Sequence, residues 1–314
     1  MKITGLAGGI GAGKFLRGLV RVVPSEDVTV IVNTGDDVRM HGLLVCPDLD
    51  SVTYWLGDAF DRERGWGRRD ETFRTTEELR AFGSPDAWFN LGDLDLATHL
   101  FRSALLAAGT PLSEVTMRIA ARFGVGSQLL PMSDRDVTTR IEAVDTEGRL
   151  LDLHFQEYWV ARRAVDDVKS VRFEGIERAL PAPGVLEAIA EADVVVLCPS
   201  NPVVSLGPIL AIDGVRAAVA ARRPHVVGVS PIVGGAPLAG MADRLMPAVG
   251  LELSAVGAAR AYDGLLGGWV IDERDGELAG RVAALGVKVA VTDTVMTDDA
   301  VAEALARVAL EMVA

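Results

Sequence analysis

Three groups of residues in this chain have types and spacings that chemistry uses. Gly8-Gly9-Ile10-Gly11-Ala12-Gly13-Lys14 has the spacing of a P-loop, in which backbone amides cradle a phosphate and the lysine neutralises it. A P-loop then needs a Ser or Thr hydroxyl for magnesium, and the next residue here is Phe15, which argues against that class of nucleotide hydrolase. The alternative is a glycine turn that only lets a helix and a strand pack closely. Phosphate binding is favoured over it, because the run joins an apolar segment to a helical one and carries a lysine. The second group is Asp36, Asp37, Asp48 and Asp50, four carboxylates within fifteen residues. Hard oxygen ligands of this kind suit magnesium, although Asp37 and Asp48 could equally be turn and helix-cap residues.

The third group runs from Arg62 to Thr75 and interleaves five arginines with Trp66, Phe73 and two glycines. Guanidinium groups pair with phosphates and stack on flat rings, so this stretch could hold a phosphorylated or heteroaromatic ligand; a solvated charged loop fits its composition as well. Weaker signals are Gly92-Asp93-Leu94-Asp95 ahead of His99 and Arg102, Ser200-Asn201-Pro202, and Ser230-Pro231-Ile232.

The elements that would position these groups read as a parallel α/β protein. Met1 to Ala7 predicts a strand, Phe15 to Val23 a helix, and Val28 to Val32 a second strand ending in Asn33-Thr34-Gly35-Asp36-Asp37. The pattern returns with a helix over Val185 to Ala190, a strand over Val194 to Leu197, a helix over Val215 to Ala221 and a strand over His225 to Val229. Strands apolar along their whole length imply a Rossmann-like, mostly parallel sheet with helices on both faces. Its polar strand ends are where open α/β sheets bind ligands. Between the halves, Ala87 to Gly124 reads as helical, and Asp136 to Val160 alternates like a small antiparallel sheet with a turn at Asp145 to Gly148. We therefore expect a core over residues 1–130 and 185–314, with an inserted small β-rich α+β subdomain at 131–184.

The composition sets limits. With 31 Lys and Arg against 44 Asp and Glu among 314 residues, the net charge is −13, which speaks against a broad electrostatic grip on nucleic acid. Hydrophobic residues make up 49%, enough for a folded globular chain. Cys46 and Cys198 stand alone, in no metal-like spacing, and fit a reducing compartment. Glycines interrupt the first apolar stretch before an export signal could form, and no apolar run is long enough to span a membrane, so a cytoplasmic location is expected.

Taken in order, these segments resemble one family over nearly the whole chain, the 2-phospho-L-lactate transferases (CofD/FbiA) of deazaflavin coenzyme F-420 biosynthesis. The similar stretches are the glycine run, Val32 to Asp37, His41-Gly42-Leu43, Cys46 to Asp50, Arg64-Gly65-Trp66-Gly67 and Asp70 to Phe73. They continue with Leu91-Gly92-Asp93, Asp95 to Leu100, Leu130 to Asp134, His154-Phe155-Gln156-Glu157, Pro199 to Ser205 and Ser230-Pro231-Ile232. The resemblance implies a magnesium-dependent transferase acting on FO, a riboflavin-like deazaflavin alcohol. Its donor would be a guanylylated phospholactate or phosphoenolpyruvate, and GMP would be released.

On that resemblance Asp36 and Asp50 are expected to be catalytic, with Asp36, Asp37 and Asp50 holding magnesium and Asp48 in reserve beside the substrates. Gly8, Gly9, Gly11, Gly13, Lys14, Ser200 and Asn201 are expected on the guanylyl and diphosphate side, and Ser230 at a substrate. The segments Arg62 to Arg74, with Arg64, Trp66 and Arg74, and Leu91 to Asp95, with Gly92 and Asp93, are expected on the deazaflavin side, and Asn90 and His99 among the substrate-binding residues. Asp50→Asn is expected to abolish transfer and spare the fold. Leu94 stands where many members carry Arg, and Asn90 where archaeal relatives often carry a basic residue. Lys14 resembles the archaeal form, whereas Arg64 to Gly67 and Trp88-Phe89 resemble the bacterial one, so the lactyl and enolpyruvyl donors both stay open. A homodimer is expected. The rival readings are a nucleotide hydrolase or kinase, a relative of the gluconeogenesis-factor type, and a non-catalytic guanine-nucleotide-binding protein of the same fold.

Overall fold

A computed structural model describes residues 1–313. Strand β1 (Ile3–Ala7) runs almost directly into α1 (Gly9–Val22), and the chain returns as β2 (Val28–Val32). A hairpin of β3 (Val38–Met40) and β4 (Leu43–Val45) leads into α2 (Pro47–Leu56); an arginine-rich loop then precedes α3 (Arg74–Ala81), α4 (Asp93–Ala107) and α5 (Leu112–Arg122). The stretch expected to be one helical run is thus two helices, parted around Pro111, whose ring fixes its own φ and pushes the preceding residue out of the helical region.

After β5 (Gln128–Pro131), strands β6 (Thr138–Val144), β7 (Leu150–His154) and β8 (Asp167–Glu174) form an antiparallel sheet in the order β7-β6-β8. The turn joining β6 to β7 carries Gly148 at φ 81° and the Asp145 carboxylate on the Glu147 and Arg149 amides. There follow α6 (Val185–Glu191), β9 (Val194–Leu197), α7 (Leu206–Ala211), α8 (Val215–Ala221), β10 (Val226–Val229) and a short ribbon of β11 (Ile232–Val233) and β12 (Ala236–Pro237). The chain closes with α9 (Ala242–Ala248), α10 (Ala255–Arg260), β13 (Gly268–Asp272), α11 (Ala279–Ala283), β14 (Lys288–Thr292) and α12 (Asp299–Glu311).

The main sheet has seven parallel strands in the order β14-β13-β10-β9-β1-β2-β5. Alternate residues of each strand feed two cores. Ile3, Ala7, Val28, Val30, Val194 and Val196 pack beneath α1 and α12, while Leu6, Ile31, Val195 and Leu197 face the opposite side. The antiparallel sheet joins that second core through Ile141, Ala143, Leu153 and Val168. Phe15, where a P-loop would present a hydroxyl, is fully buried in the first core. Among the described residues, no helix is long and apolar enough to cross a membrane.

The chain leaves β1 toward β2 on one side and later enters β9 on the other. This reversal makes the crevice at the carboxyl ends of β1 and β9 the topological switch point, where open parallel sheets bind ligands.

Candidate active site at the carboxyl ends of the sheet

At the switch point the glycine run is mostly helix. Gly8 is the only residue between β1 and α1, and its amide donates to Ser200 Oγ at 3.2 Å, tying the end of β1 to the end of β9. Gly11 and Gly13 lie inside α1, where a Cβ would collide with the Pro199 carbonyl and the Trp55 ring respectively. Packing therefore accounts for both glycines. Lys14, half-buried, donates from Nζ to the Met296 carbonyl at 3.5 Å.

The four aspartates divide into two environments. Asp36 and Asp48 are both buried, and one amide nitrogen, Asn33 Nδ2, donates to Asp36 Oδ1 at 3.2 Å and to Asp48 Oδ2 at 2.9 Å. Gln156 Nε2 holds the other Asp36 oxygen at 3.1 Å, and the Gly9 amide at the start of α1 donates to Asp48. Burial, reinforced by the neighbouring Asp48 and Asp37, pushes the Asp36 carboxyl well above the usual carboxylate range. Burial likewise raises Asp48 to about 6, against its donors from Asn33 and Gly9. Asp37 is raised well above its ordinary value by burial, despite a hydrogen bond from the Cys46 thiol and the nearby Arg102 charge. Its Oδ1 is shut off from solvent and has no partner. Neutral amides and a thiol surround these three carboxylates, and no cation touches them among the described residues.

Asp50 lies differently. Arg102, 2% exposed, grips both its carboxylate oxygens, with Nη1 on Oδ2 at 3.1 Å and Nη2 on Oδ1. The same Nη1 is 3.2 Å from His99 Nδ1, and the other face of His99 lies 3.5 Å from Asp95 Oδ2. Tyr54 donates to Asp95 Oδ1 at 2.5 Å. Burial works to raise Asp95, but His99, Tyr54 and Arg102 more than offset it and hold the carboxyl below the usual range. Burial would lower the Arg102 pKa, yet Asp50 and its neighbours hold it above the ordinary arginine value.

Both regions offer donors to a metal. Ligand atoms of Asp50, Asp95 and His99 lie within 4.8 Å of one another, close enough to surround an ion. A guanidinium already occupies both oxygens of Asp50, however, and a dication there would have to displace it. Among the described residues, Asp36, Asp37 and Asp48 do not bring three ligand atoms that close together; what they offer a hard cation is the absence of any cation in contact and the unpartnered Asp37 Oδ1.

The remaining residues expected at the site fall in several places. Ser200 lies in the crevice; Asn201 caps the next turn, its Oδ1 accepting from the Val203 amide at 2.9 Å. Ser230, at the end of β10, exchanges hydrogen bonds with Ile232 in a local turn. Arg64 lies against both Trp66 and Phe73, 4.8 and 5.1 Å from their ring centres, and is also tied to Asp61. Trp66, Arg74 and Asn90 are exposed. Asp93 accepts from the Thr72 hydroxyl and from the Arg74 and Thr75 amides, which holds it down to about 2. It thereby caps α3, while Glu71 returns the favour to α4 through the Leu94 and Asp95 amides, lying against Gly92. His99 is inside the paired network.

Asn33, Gln156, His154, Tyr54 and Arg102, which the fold brings to these carboxylates, were not among the expected site residues, and Asp95 was expected on the deazaflavin side as part of Leu91 to Asp95. Arg102 carried a signal, since an arginine on a largely apolar helix face demands a buried partner.

The family model described as CofD, 2-phospho-L-lactate transferase, matches residues 3–311. A phosphoenolpyruvate transferase of Streptomyces griseus is 52% identical over 99% of this chain and 98% of its own length. One from Mycolicibacterium smegmatis is 45% identical over the same shares. A solved structure of a UPF0052-family protein from Bacillus halodurans superposes with a TM-score of 0.62 at 17% identity, covering 98% of each chain, a likeness of fold alone. With a family model spanning both the switch-point carboxylates and the paired network, the chain belongs to the CofD family of 2-phospho-L-lactate transferases and is a transferase of coenzyme F-420 biosynthesis.

Proposed function

We propose that this enzyme transfers a phosphoenolpyruvyl group from its guanylylated form to the terminal hydroxyl of the deazaflavin FO and releases GMP. The observation that carries this reading is the group of Asp36 and Asp48, both buried, and the half-buried Asp37, with no cation in contact, beside the first amides of α1 and Ser200, since diphosphate chemistry with a hard cation needs such a place. The names of relatives about half identical to this chain favour the enolpyruvyl donor over the lactyl one.

Asp36, Asp37 and Asp48 would hold magnesium, which when bound neutralises charge on the diphosphate oxygens. The amides that open α1, together with Ser200 and Asn201, bind the guanylyl and diphosphate side. Arg102 fixes the orientation of Asp50, which suits this carboxylate to orient the acceptor hydroxyl rather than to ligate metal. The FO oxygen attacks the phosphorus that bears the three-carbon group; a P–O bond forms there, the bond to the GMP oxygen breaks, and a carboxylate of the site takes the hydroxyl proton. The exposed Trp66, which lies against Arg64, and the exposed Arg74 and Asn90 offer contacts for the deazaflavin ring. Two buried free thiols fit a reducing cytoplasm.

The dimer we propose uses α4, where Leu94, Leu100 and Phe101 are 40, 55 and 48% exposed and share one side of the helix by their spacing, with the 60% exposed Met117 on α5. Light scattering should then report two chains per particle for the wild type and one for Phe101→Glu.

Purified protein should be incubated with FO, magnesium and either guanylylated donor, and the products weighed by mass spectrometry. Dehydro-product and GMP from the enolpyruvyl donor support the proposal. Tight guanine-nucleotide binding with no product from either donor would favour a binding protein instead.

A further inference from the structure

The antiparallel sheet grips the loop after β2 at three points. Thr139 N donates to the Gly35 carbonyl at 2.5 Å, His154 Nε2 to the Asp37 carbonyl at 3.1 Å, and Gln156 Nε2 to Asp36 Oδ2 at 3.1 Å. Only the last of these touches a carboxylate. We infer that Gln156 is a positioning residue for the transfer step, holding Asp36 in the orientation that cation and substrate meet, and that the antiparallel sheet is thereby part of the reaction centre. This inference rests on the proposed function.

Local geometry leaves Gln156 little choice of direction. Its backbone amide donates to His154 Nδ1 at 3.0 Å, so Nδ1 is the acceptor and Nε2 carries the proton that goes to the Asp37 carbonyl. That pair of bonds fixes the turn after β7, and the Gln156 side chain, 4% exposed, enters the site from the side opposite Asn33. The Asp36 carboxylate is therefore held by an amide at each oxygen. An amide donor orients a carboxylate without cancelling its charge, which is how this contact differs from the Arg102 grip on Asp50. The loop and the strand beside it also keep unmet capacity: Thr34 Oγ1, Thr139 Oγ1 and Asp37 Oδ1 are all buried without partners. A purely structural clamp would leave fewer such atoms unpaired.

The test compares wild type with Gln156→Met, which keeps the volume and removes the donor, and with Gln156→Asn, which withdraws the amide by one methylene. Mn2+ binding to each protein alone is followed by electron paramagnetic resonance, and kcat and KM are measured in the transfer assay. We expect Gln156→Met to weaken Mn2+ binding by about fivefold or more and to lower kcat by about tenfold or more, with KM for FO within about threefold. Gln156→Asn should fall between, and carries the test if Gln156→Met does not fold. Folded variants with wild-type Mn2+ affinity and kcat, or with a loss confined to KM for FO, would overturn the inference. A wild type without transferase activity would defeat the proposed function alone, because the Mn2+ comparison still decides the role of Gln156.

Discussion

Two carboxylate groups stand side by side here, and they differ in what meets them. Asp50 is paired with the Arg102 guanidinium, and Asp95 accepts from the Tyr54 hydroxyl beside His99. Asp36, Asp37 and Asp48 are met only by amides and a thiol, and burial drives their carboxyls toward the protonated form. A compensated group is finished as it stands. An uncompensated one is destabilising by itself, and a bound cation relieves it. Asp37 lies between them, sensing Arg102 and Asp50 on one side and Asp48 on the other. On the proposed function, Arg102 presents Asp50 in a fixed orientation, whereas Asp36, Asp37 and Asp48 are left to meet a cation.

The largest effect should come from breaking the compensated side. Asp50→Asn leaves Arg102 buried without its counter-charge and should cost about 3–5 kcal/mol in urea denaturation. This revises the expectation that the substitution spares the fold. Unchanged stability would mean that the pair is not the scaffold we describe. On the uncompensated side, Asp37→Asn should cut transfer by on the order of a hundredfold to a thousandfold. Its melting temperature without divalent ions should match or exceed that of the wild type, and a marked drop would count against the assignment.

The pH dependence sharpens the contrast. Asp48 is raised from 3.8 to about 6, so its contribution to stability is fully present below pH 3.8 and is lost as the pH rises to about 6. Asp36 and Asp37, raised well above the same starting value, extend that loss upward. Magnesium competes with these protons, so its stabilising effect on the melting temperature should be greater at about pH 7.5 than at about pH 5.5. Equal shifts at both would be inconsistent with carboxylates that bind metal only when ionised. Smallest of all, Asp93→Ala should destabilise by about 1 kcal/mol through loss of the α3 cap, with Mn2+ binding unchanged.

Much of the scaffold was legible because parallel strands buried on both faces are continuous apolar runs, and Val28 to Val32 and Val194 to Leu197 occur as read. The glycine run misled in one respect. Glycine's poor helix propensity suggested a loop, yet α1 starts at Gly9, because a helix this close to Pro199 and Trp55 tolerates no side chain at Gly11 or Gly13. The aspartates were visible as a cluster, but their division into two environments was not. It depends on partners 52 residues away for Arg102 and Asp50, and 120 for Gln156 and Asp36, which only the fold brings together. His99 and Asp93 drew notice through their motif, and their roles in an ion network and a helix cap follow from contacts that no spacing reveals.

We propose that Asp36, Asp37 and Asp48, and not the Asp50, Asp95 and His99 group, take the cation. Mn2+ titration followed by electron paramagnetic resonance, on Asp36→Asn and Asp95→Asn beside the wild type, separates the two. Asp36→Asn should lose the bound ion while Asp95→Asn keeps it. Retention in Asp36→Asn with loss in a folded Asp95→Asn protein would contradict it.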